Sequence, residues 1–333
     1  MDKIFITGGA GYCGSLLVPT LLSKNYFVTV YDTLYFTDKF LPKEHPNLRI
    51  IRGDIRNVSQ FKEAVAGHDV VISLACISND ASFELDERLS TSINLDAFEP
   101  MIKTAKQQGV KRFIYASSSS VYGISDSKNV TEDHPLVPLT LYNKYKGLCE
   151  PILNHYGSDD FIVTTFRPAT VCGYAPRLRL DLSVNILTNH AIVKDQITVF
   201  GGDQLRPNLH VKDYVRVCEL LIKAPFVKIH KNVFNVGYQN KSIKSLANIV
   251  KQQVLKNFKD KQEIDIVFTP SDDNRSYHIN SDKIKNELNF EPMFTIEDAV
   301  ESICLAYREG LISNSFDNDI FYNIRTMKRL KVS

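Results

Sequence analysis

The sequence has no tryptophan, no marked excess of either charge and no long apolar run. Lys and Arg number 40 against 38 Asp and Glu, a formal net charge of +2, so we expect no nucleic-acid partner. No apolar stretch approaches the roughly 18 residues of a membrane span, and no leader precedes the first predicted strand. We therefore expect a cytoplasmic protein that does not bind membranes.

The cysteines and histidines lack the spacings of metal or redox motifs. There are six cysteines and eight histidines, with no C-x-x-C pair and no H-x-x-x-H pair. The cysteines are Cys13, Cys76, Cys149, Cys172, Cys218 and Cys304. We interpret them as small buried apolar side chains and expect no metal site.

The most informative stretch is rich in glycine. Gly8, Gly11 and Gly14 follow the apolar run Ile4-Phe5-Ile6 and lead into a helical pattern. A nucleotide pyrophosphate needs this arrangement, because glycines allow close backbone approach and the helix amides face the phosphates. Glycines also mark ordinary turns, so the loop by itself leaves that alternative open.

Two aspartates follow predicted strands. Asp32 ends a second apolar run about 20 residues past the glycine loop, where a carboxylate can accept hydrogen bonds from ribose hydroxyls. It would repel a 2′-phosphate, so NAD(H) is preferred over NADP(H). Asp54 follows the strand pattern at residues 48–52 and is a candidate adenine contact, with a turn or N-cap role as the alternative.

Strand and helix patterns alternate through the first half of the chain. Apolar runs at residues 69–75 and 112–116 suit buried parallel strands, and residues 58–66 and 89–108 are predicted helices. With no internal repeat, the alternation predicts an α/β fold with a Rossmann-type doubly wound parallel sheet and right-handed crossovers.

A tyrosine and a lysine could supply acid-base chemistry. Tyr142 and Lys146 stand four residues apart in a predicted helix that begins near Thr140, so they share a face. A free phenol has a pKa of about 10, and a nearby ammonium favours the phenolate, which would make Tyr142 a base near neutral pH. Such pairs also arise by chance. This one follows a fifth strand that ends in Ser117 and Ser118, at the ligand edge of the predicted sheet.

Together these residues resemble the extended short-chain dehydrogenase/reductase family, in particular its nucleotide-sugar epimerases and dehydratases of the UDP-glucose 4-epimerase-like type. The resemblance covers essentially the whole chain and includes Gly53-Asp54-Ile55 and the Ser-Ser-Val-Tyr-Gly ending at Gly123. It implies that NAD(H) is the cofactor and a nucleotide-diphospho-sugar the substrate. Tyr142 would take a proton from a sugar hydroxyl, Lys146 would hold the nicotinamide ribose and lower the Tyr142 pKa, and Ser118 would hydrogen-bond the reacting oxygen.

The resemblance also assigns binding residues. The cofactor set is Gly8, Gly11, Tyr12, Cys13, Gly14, Asp32, Asp54, Ile55, Leu74, Ala75, Ser117, Tyr142, Lys146 and Pro168. The substrate set is Ser118, Ser119, Tyr142, Thr170, Arg177, Arg179, Arg206 and Arg275. Arg206 and Arg275 would grip the substrate diphosphate, because guanidinium groups pair well with phosphate oxygens. For Arg177 and Arg179 a solvated loop is the alternative. Asn94 matches a family residue that supports the site, with a helix-surface amide as its alternative.

The residues after the fifth strand restrict the reaction. Family dehydratases place an Asp-Glu pair where this chain has Ser119 and Ser120, so elimination of water is disfavoured. No Cys or Glu lies between residues 117 and 123, which disfavours C3/C5 epimerisation and decarboxylation. Hydride transfer at C4 remains, by an epimerase or by a C4 dehydrogenase or 4-ketoreductase, in the synthesis of surface polysaccharide precursors. A non-catalytic NAD-binding redox sensor or scaffold is the alternative of another class.

The resemblance implies domains and an assembly. Residues 1–170 would form the NAD-binding domain, with residues 208–240 returning to it, and residues 171–207 and 241–333 would form the nucleotide-sugar lobe. A homodimer would form through a four-helix bundle that includes the 89–108 helix and the Tyr142 helix.

Overall fold

The computed structural model describes residues 2–127, 129–270 and 276–330. In chain order its strands are β1 (Lys3–Thr7), β2 (Phe27–Asp32), β3 (Leu48–Arg52), β4 (Val70–Ser73), β5 (Arg112–Ala116), β6 (Ile162–Pro168), β7 (Thr170–Cys172), β8 (Gln196–Phe200), β9 (Leu205–His210), β10 (Asn232–Val236), β11 (Gln239–Ser242) and β12 (Asp265–Thr269). Seven of them form one parallel sheet in the order β10-β6-β5-β4-β1-β2-β3. This confirms the predicted doubly wound α/β fold.

The helices flank this sheet and build a second lobe. They are α1 (Gly14–Ser23), α2 (Val58–Val65), α3 (Asp80–Phe83), α4 (Glu87–Thr91), α5 (Phe98–Gln107), α6 (Leu141–Tyr156), α7 (Ser183–Lys194), α8 (Val211–Lys223), α9 (Phe226–Ile229), α10 (Ile243–Asn257), α11 (Asp282–Leu288), α12 (Ile296–Arg308) and α13 (Asn323–Leu330). Among the described residues, these helices are too short or too polar to cross a membrane.

Alternating side chains of the sheet bury two apolar layers. Ile4 and Ile6 of β1 pack with α1 and α8 on one face, whereas Phe5 packs with α2 and α5 on the other. Both faces are apolar because a parallel sheet has helices on each side. The carboxyl ends of the strands therefore meet at one edge, where the connecting loops can form a site.

The second lobe has its own core. α7, α10 and α12 pack together around buried side chains such as Val250 and Ile303, beside the two-stranded sheet of β8 and β12. The strands β11, β9 and β7 form a separate three-stranded sheet in that order. The strand β10 returns to the edge of the large sheet beside β6. The domain boundaries given above stay a prediction.

The helix predicted at residues 89–108 is not continuous. α4 ends at Thr91, a π-helical turn occupies Ser92–Asp96, and α5 follows. The backbone N of Ala97 donates to the Ser92 carbonyl at 3.1 Å, the wider bond of a π-helical turn, and Pro100 in the first turn of α5 has no amide to donate to the Asp96 carbonyl. The expectation missed this break because the apolar spacing continues across it.

Candidate active site

A cavity of about 610 Å³ lies at the carboxyl edge of the large sheet and extends towards the second lobe. Every residue of the predicted cofactor and substrate sets lines this cavity, apart from Arg275, which lies outside the described residues. The residues that the sequence analysis selected after β1, β2, β4, β5 and β6 therefore face one cavity.

The glycine loop approaches the neighbouring backbone too closely for side chains. A Cβ at Gly8, whose φ is +73°, would lie 2.6 Å from the backbone N of Ala75, and one at Gly14 would lie 2.2 Å from the Gly9 carbonyl oxygen. These two glycines let α1 begin directly at the cavity wall. The hydroxyl of Tyr12, which also lines the cavity, donates to the carbonyl of Gly173.

Asp32 ties the end of β2 to the glycine loop. Its carboxylate accepts hydrogen bonds from the backbone N of Ala10 at 3.0 Å and of Leu34 at 2.8 Å. Burial raises the pKa of Asp32, and the two amides partly offset that effect. The carboxylate keeps a free lone-pair direction on each oxygen for a ligand hydroxyl.

Asp54 lines the cavity while it holds a cation. Arg56 donates to both carboxylate oxygens, with Nη2 at 2.7 Å from Oδ2, and its backbone N donates to Oδ1 at 2.9 Å. The N-cap of α2 is Asn57, so the alternative role of Asp54 as that N-cap is wrong. Asp54 instead forms a turn with Arg56 at the cavity wall.

Tyr142, Lys146 and Ser118 face the cavity from two neighbouring elements. Tyr142 and Lys146 lie on α6, which begins after the N-cap Thr140, and Ser118 follows β5. The Lys146 Nζ donates to the Ala116 carbonyl at 2.8 Å, and this contact fixes the ammonium at the end of β5.

The pKa of Tyr142 differs from the expectation. Burial is the largest influence and raises this pKa well above its usual value, while the Arg179 guanidinium lowers it. The ammonium of Lys146 donates to the Ala116 carbonyl. The net shift of the Tyr142 pKa is therefore upward, and the lowering expected from Lys146 stays a prediction.

The serines after β5 form a hydroxyl chain. Ser118 and Ser120 Oγ atoms lie 2.7 Å apart, and Ser120 donates to Oδ1 of Asn143. Ser119 is buried, and its Oγ lies 3.5 Å from the Tyr277 hydroxyl. These hydrogen bonds position Ser118 in the cavity. The hydroxyl groups beside Ser118 are not acidic near neutral pH.

Asn94 is buried in the π-helical turn and holds the loop after β4. Its Oδ1 accepts from the backbone N of Ile77 and its Nδ2 donates to the Ile77 carbonyl, both at 2.9 Å. The helix-surface alternative is therefore wrong. The amide fixes the segment that carries Cys76, Ser78 and Asp80 into the cavity.

The sequence interpretation missed this segment after β4. Cys76, Ser78, Asn79 and Asp80 all line the cavity. The available signal was their position directly after a buried parallel strand, where ligands bind. Cys13 and Cys76 are only partly buried and line the cavity, so the interpretation of all six cysteines as core residues is wrong for these two.

The arginines of the segment before α7 are buried, so the solvated-loop alternative is wrong. Arg179 pairs with Asp181 through Nε at 2.8 Å and donates from Nη1 to Ser78 at 2.9 Å. Arg177 reaches Asn323 of α13. No sequence signal indicated that Asn323, more than a hundred residues away along the chain, would meet these arginines.

Arg206 and Thr170 line the cavity from β9 and β7. Arg206 is on β9 and its Nη1 donates to its neighbour's carbonyl, that of Leu205. Thr170 begins β7, directly after the end of β6, and also lines the cavity.

Many known proteins are similar to this chain, including the following three. The low-salt glycan biosynthesis protein Agl12 of Haloferax volcanii is 26% identical over 318 residues, covering 92% of this chain and 98% of that protein. A dTDP-glucose 4,6-dehydratase of Streptomyces griseus is 26% identical over 317 residues, covering 92% and 94%. The structure of UDP-glucuronic acid 4-epimerase from Bacillus cereus, in complex with UDP-glucuronic acid and NAD, has a TM-score of 0.81 at 24% identity, covering 92% and 99%.

A family model matches residues 4–237, which include the glycine loop, Asp32, the serines after β5 and the Tyr142–Lys146 helix. This match covers most of the 333 residues. The protein therefore belongs to the NAD dependent epimerase/dehydratase family.

Proposed function

We propose that this protein transfers hydride at C4 of a nucleotide-diphospho-hexose or -heptose, as an NAD-dependent epimerase in the synthesis of surface polysaccharide precursors. The observation that carries the proposal is the pairing of Tyr142, Lys146 and Ser118 with a neighbourhood of hydroxyls at Ser119 and Ser120. The name of the Haloferax relative, a glycan biosynthesis protein, agrees with this pathway.

The cavity fits the family's cofactor. The close approach of Gly8 and Gly14 to backbone leaves room for a pyrophosphate at the start of α1, and Asp32 stands where ribose hydroxyls need an acceptor. When bound, NAD supplies the acceptor and donor of the hydride. Lys146 would hold the nicotinamide ribose, and the strand ends at Leu74, Ala75 and Pro168 would form the wall around it.

Tyr142 would move the proton of the reaction. Its phenolate would accept the proton of the C4 hydroxyl as that carbon is oxidised, and the resulting phenol would return the proton when the ketone is reduced. Ser118 would donate a hydrogen bond to the same oxygen. Arg179 favours the phenolate, since it lowers a pKa that burial has raised.

The serines beside Ser118 favour epimerisation over dehydration. Elimination of water needs an acid for the leaving hydroxyl and a base for the neighbouring proton. Ser119 and Ser120 offer only hydroxyls, and their contacts are to Tyr277 and Asn143. We therefore take the similarity to the Streptomyces dehydratase as support for the fold and the use of NAD, and not as support for the elimination of water.

Arg206 and Arg179 are the described cations that we assign to the substrate. Arg206 lies on β9, and Arg179 lines the same cavity with its position fixed by Asp181. Guanidinium groups would pair with the substrate's phosphate oxygens and place C4 at Tyr142.

We also propose a cytoplasmic homodimer. The pair would use α5 and α6, which pack against each other in one chain, with Leu148 exposed on α6. Light scattering of the purified protein tests this, and a monomer at working concentration would contradict it.

The first experiment follows purified protein through a panel of UDP-, GDP-, CDP- and dTDP-sugars, with the absorbance of reduced nicotinamide and product NMR as readouts. A C4-inverted sugar without net redox change is expected. Net 4-keto sugar would indicate a dehydrogenase or ketoreductase instead. No reaction with any sugar, although NAD binds, would favour a redox sensor or scaffold.

A matched pair of variants tests the proton acceptor. Tyr142→Phe should keep NAD binding and lose hydride transfer, whereas Tyr145→Phe, on the same helix, should keep both. Substantial turnover in Tyr142→Phe would assign the base elsewhere.

A further inference from the structure

Arg177 is a buried cation in the wall of the cavity. Its side chain is 2% exposed, and its backbone N donates to the Ser15 Oγ at 3.0 Å, in the first turn of α1. This contact places the arginine beside the helix that starts at the glycine loop. The neighbours of Arg177 are thus on the cofactor side, whereas the sequence interpretation assigned it to the substrate.

The guanidinium has neutral partners, and one of its buried donors has none. Its Cζ atom lies over the Phe36 ring, 4.3 Å from the ring centroid, and Nη2 donates to Asn323 Oδ1 at 2.6 Å. The Nε atom is buried and has no hydrogen-bond partner among the described residues. Arg179, two residues on, is paired with Asp181. Arg177 has no such ion pair in the described part of the chain.

A bound anion could supply the hydrogen-bond acceptor and the counter-charge that Arg177 lacks among the described residues. Burial and the nearby charge of Arg179 lower the pKa of Arg177 to about 9, and Asp181 and Asp32 counteract this in part. A buried donor without a partner costs free energy, and so does a buried charge without a counter-ion. An anion at the cavity wall would satisfy both, and a phosphate group suits a guanidinium because two of its oxygens can each accept one N–H donor.

We propose that Arg177 binds the diphosphate of the cofactor, with Phe36 as the surface on which the guanidinium stacks and Asn323 as the residue that orients it. Ser15, Phe36 and Asp32 all come from the glycine-loop helix and the end of β2, the side that receives the adenosine diphosphate half. Arg206, on β9, stays with the substrate. The proposal depends on the family's use of NAD and does not depend on the reaction at C4.

Asn323 makes the C-terminal helix part of this site. Its Nδ2 donates to Ser78 Oγ at 3.1 Å and its backbone N donates to Asp181 Oδ2 at 3.1 Å. One residue of α13 thereby contacts both the Arg177 loop and the segment after β4. Asn323 is a positioning residue, since it acts through the guanidinium that it holds.

The test compares ligands that differ in their phosphates, in their base or in the nicotinamide half, without any sugar substrate. Calorimetry measures ADP, adenosine, NAD⁺, UDP and 2′,5′-ADP on protein freed of co-purified nucleotide. Arg177→Gln should weaken the binding of ADP and NAD⁺ by about 10- to 100-fold, as expected for the loss of a hydrogen-bonded charge, and leave the affinity for adenosine unchanged. Arg177→Lys should recover part of the loss. Arg325→Gln removes the same charge from an exposed position of α13 and should change nothing.

Three outcomes would overturn the proposal. Equal weakening of ADP and adenosine would show a structural role only. Loss of affinity confined to 2′,5′-ADP would show that Arg177 binds a 2′-phosphate, and loss of affinity confined to UDP would assign Arg177 to the substrate.

The orienting role of Asn323 has its own test. Asn323→Leu should weaken ADP binding, and adding it to Arg177→Gln should cause no further loss of affinity; additive losses would contradict that role. A failure of the C4 reaction would leave all these values untouched.

Discussion

Arg167 and Glu150 form a buried two-point ion pair beneath the active site. The Nε of Arg167 donates to Oε1 of Glu150 at 3.0 Å, and Nη2 donates to Oε2 at 2.6 Å. The same carboxylate accepts from Ser117 Oγ at 2.7 Å, and Arg167 Nη1 donates to the Tyr122 hydroxyl at 2.6 Å. The pair joins β6 and α6 to the serine segment that carries Ser118.

Removing one partner of this pair should destabilise the fold strongly. Glu150→Gln leaves a buried guanidinium without its counter-charge, and we expect the free energy of unfolding to fall by about 3–5 kcal/mol. Urea denaturation measures it. Glu291→Gln, in the exposed pair with Lys285, is the control and should give no measurable change. A small loss for Glu150→Gln would show that water reaches the pair.

The glycine loop should tolerate no side chain at its third glycine. In Gly14→Ala the added Cβ would meet the Gly9 carbonyl at 2.2 Å, so the loop must move and NAD affinity should fall at least about 10-fold. Gly147→Ala is the control, since its Cβ would be 3.4 Å from the nearest atom, the Leu136 Cδ1, and alanine favours helix α6. Calorimetry with NAD⁺ compares them, and equal affinities would show that the loop adapts.

The turnover of sugar oxidation should rise with pH, because only the Tyr142 phenolate accepts a proton and burial has raised its pKa. Arg179 lowers that pKa, so Arg179→Gln should raise it and move the kcat profile to higher pH. Lys144→Gln, an exposed neighbour on α6, is the control. An unshifted profile in Arg179→Gln would mean that another group titrates.

His210 should make the protein sensitive to acid. Its imidazole caps α8 by accepting from the backbone N of Lys212, and burial lowers its pKa to about 4, helped by Lys212 and opposed by Asp213 and Asp298. Between about pH 6.5 and 4 the unfolded chain binds the extra proton. Stability is therefore full above that window and falls by roughly 1.4 kcal/mol per unit as the pH drops through it.

The variant His210→Asn isolates this effect, because asparagine is also a good N-cap but does not titrate. Denaturation across pH should show a shallower loss in the variant than in the parent. His68, His190 and His230 also have lowered pKa values and act equally in both proteins. Parallel curves would show that His210 is solvated when protonated.

Local patterns predicted the parts of the site that local sequence controls. The glycine loop, Asp32 and the Tyr142–Lys146 pair lie within single strand-loop-helix units, where spacing decides which side chains share an edge or a face. The break at Ser92–Asp96 escaped this reasoning, because the apolar spacing continues across it.

The amino-acid sequence by itself determined the doubly wound sheet, the cofactor loop and the family, since hydrophobic alternation and glycine spacing act over short distances. Only the tertiary structure decided that Arg177 meets Phe36 and Asn323, that Arg179 donates to Ser78, and that Arg167 pairs with Glu150. These contacts join residues far apart in the chain. Their partners are selected by packing and burial of the whole molecule, and no short pattern encodes them.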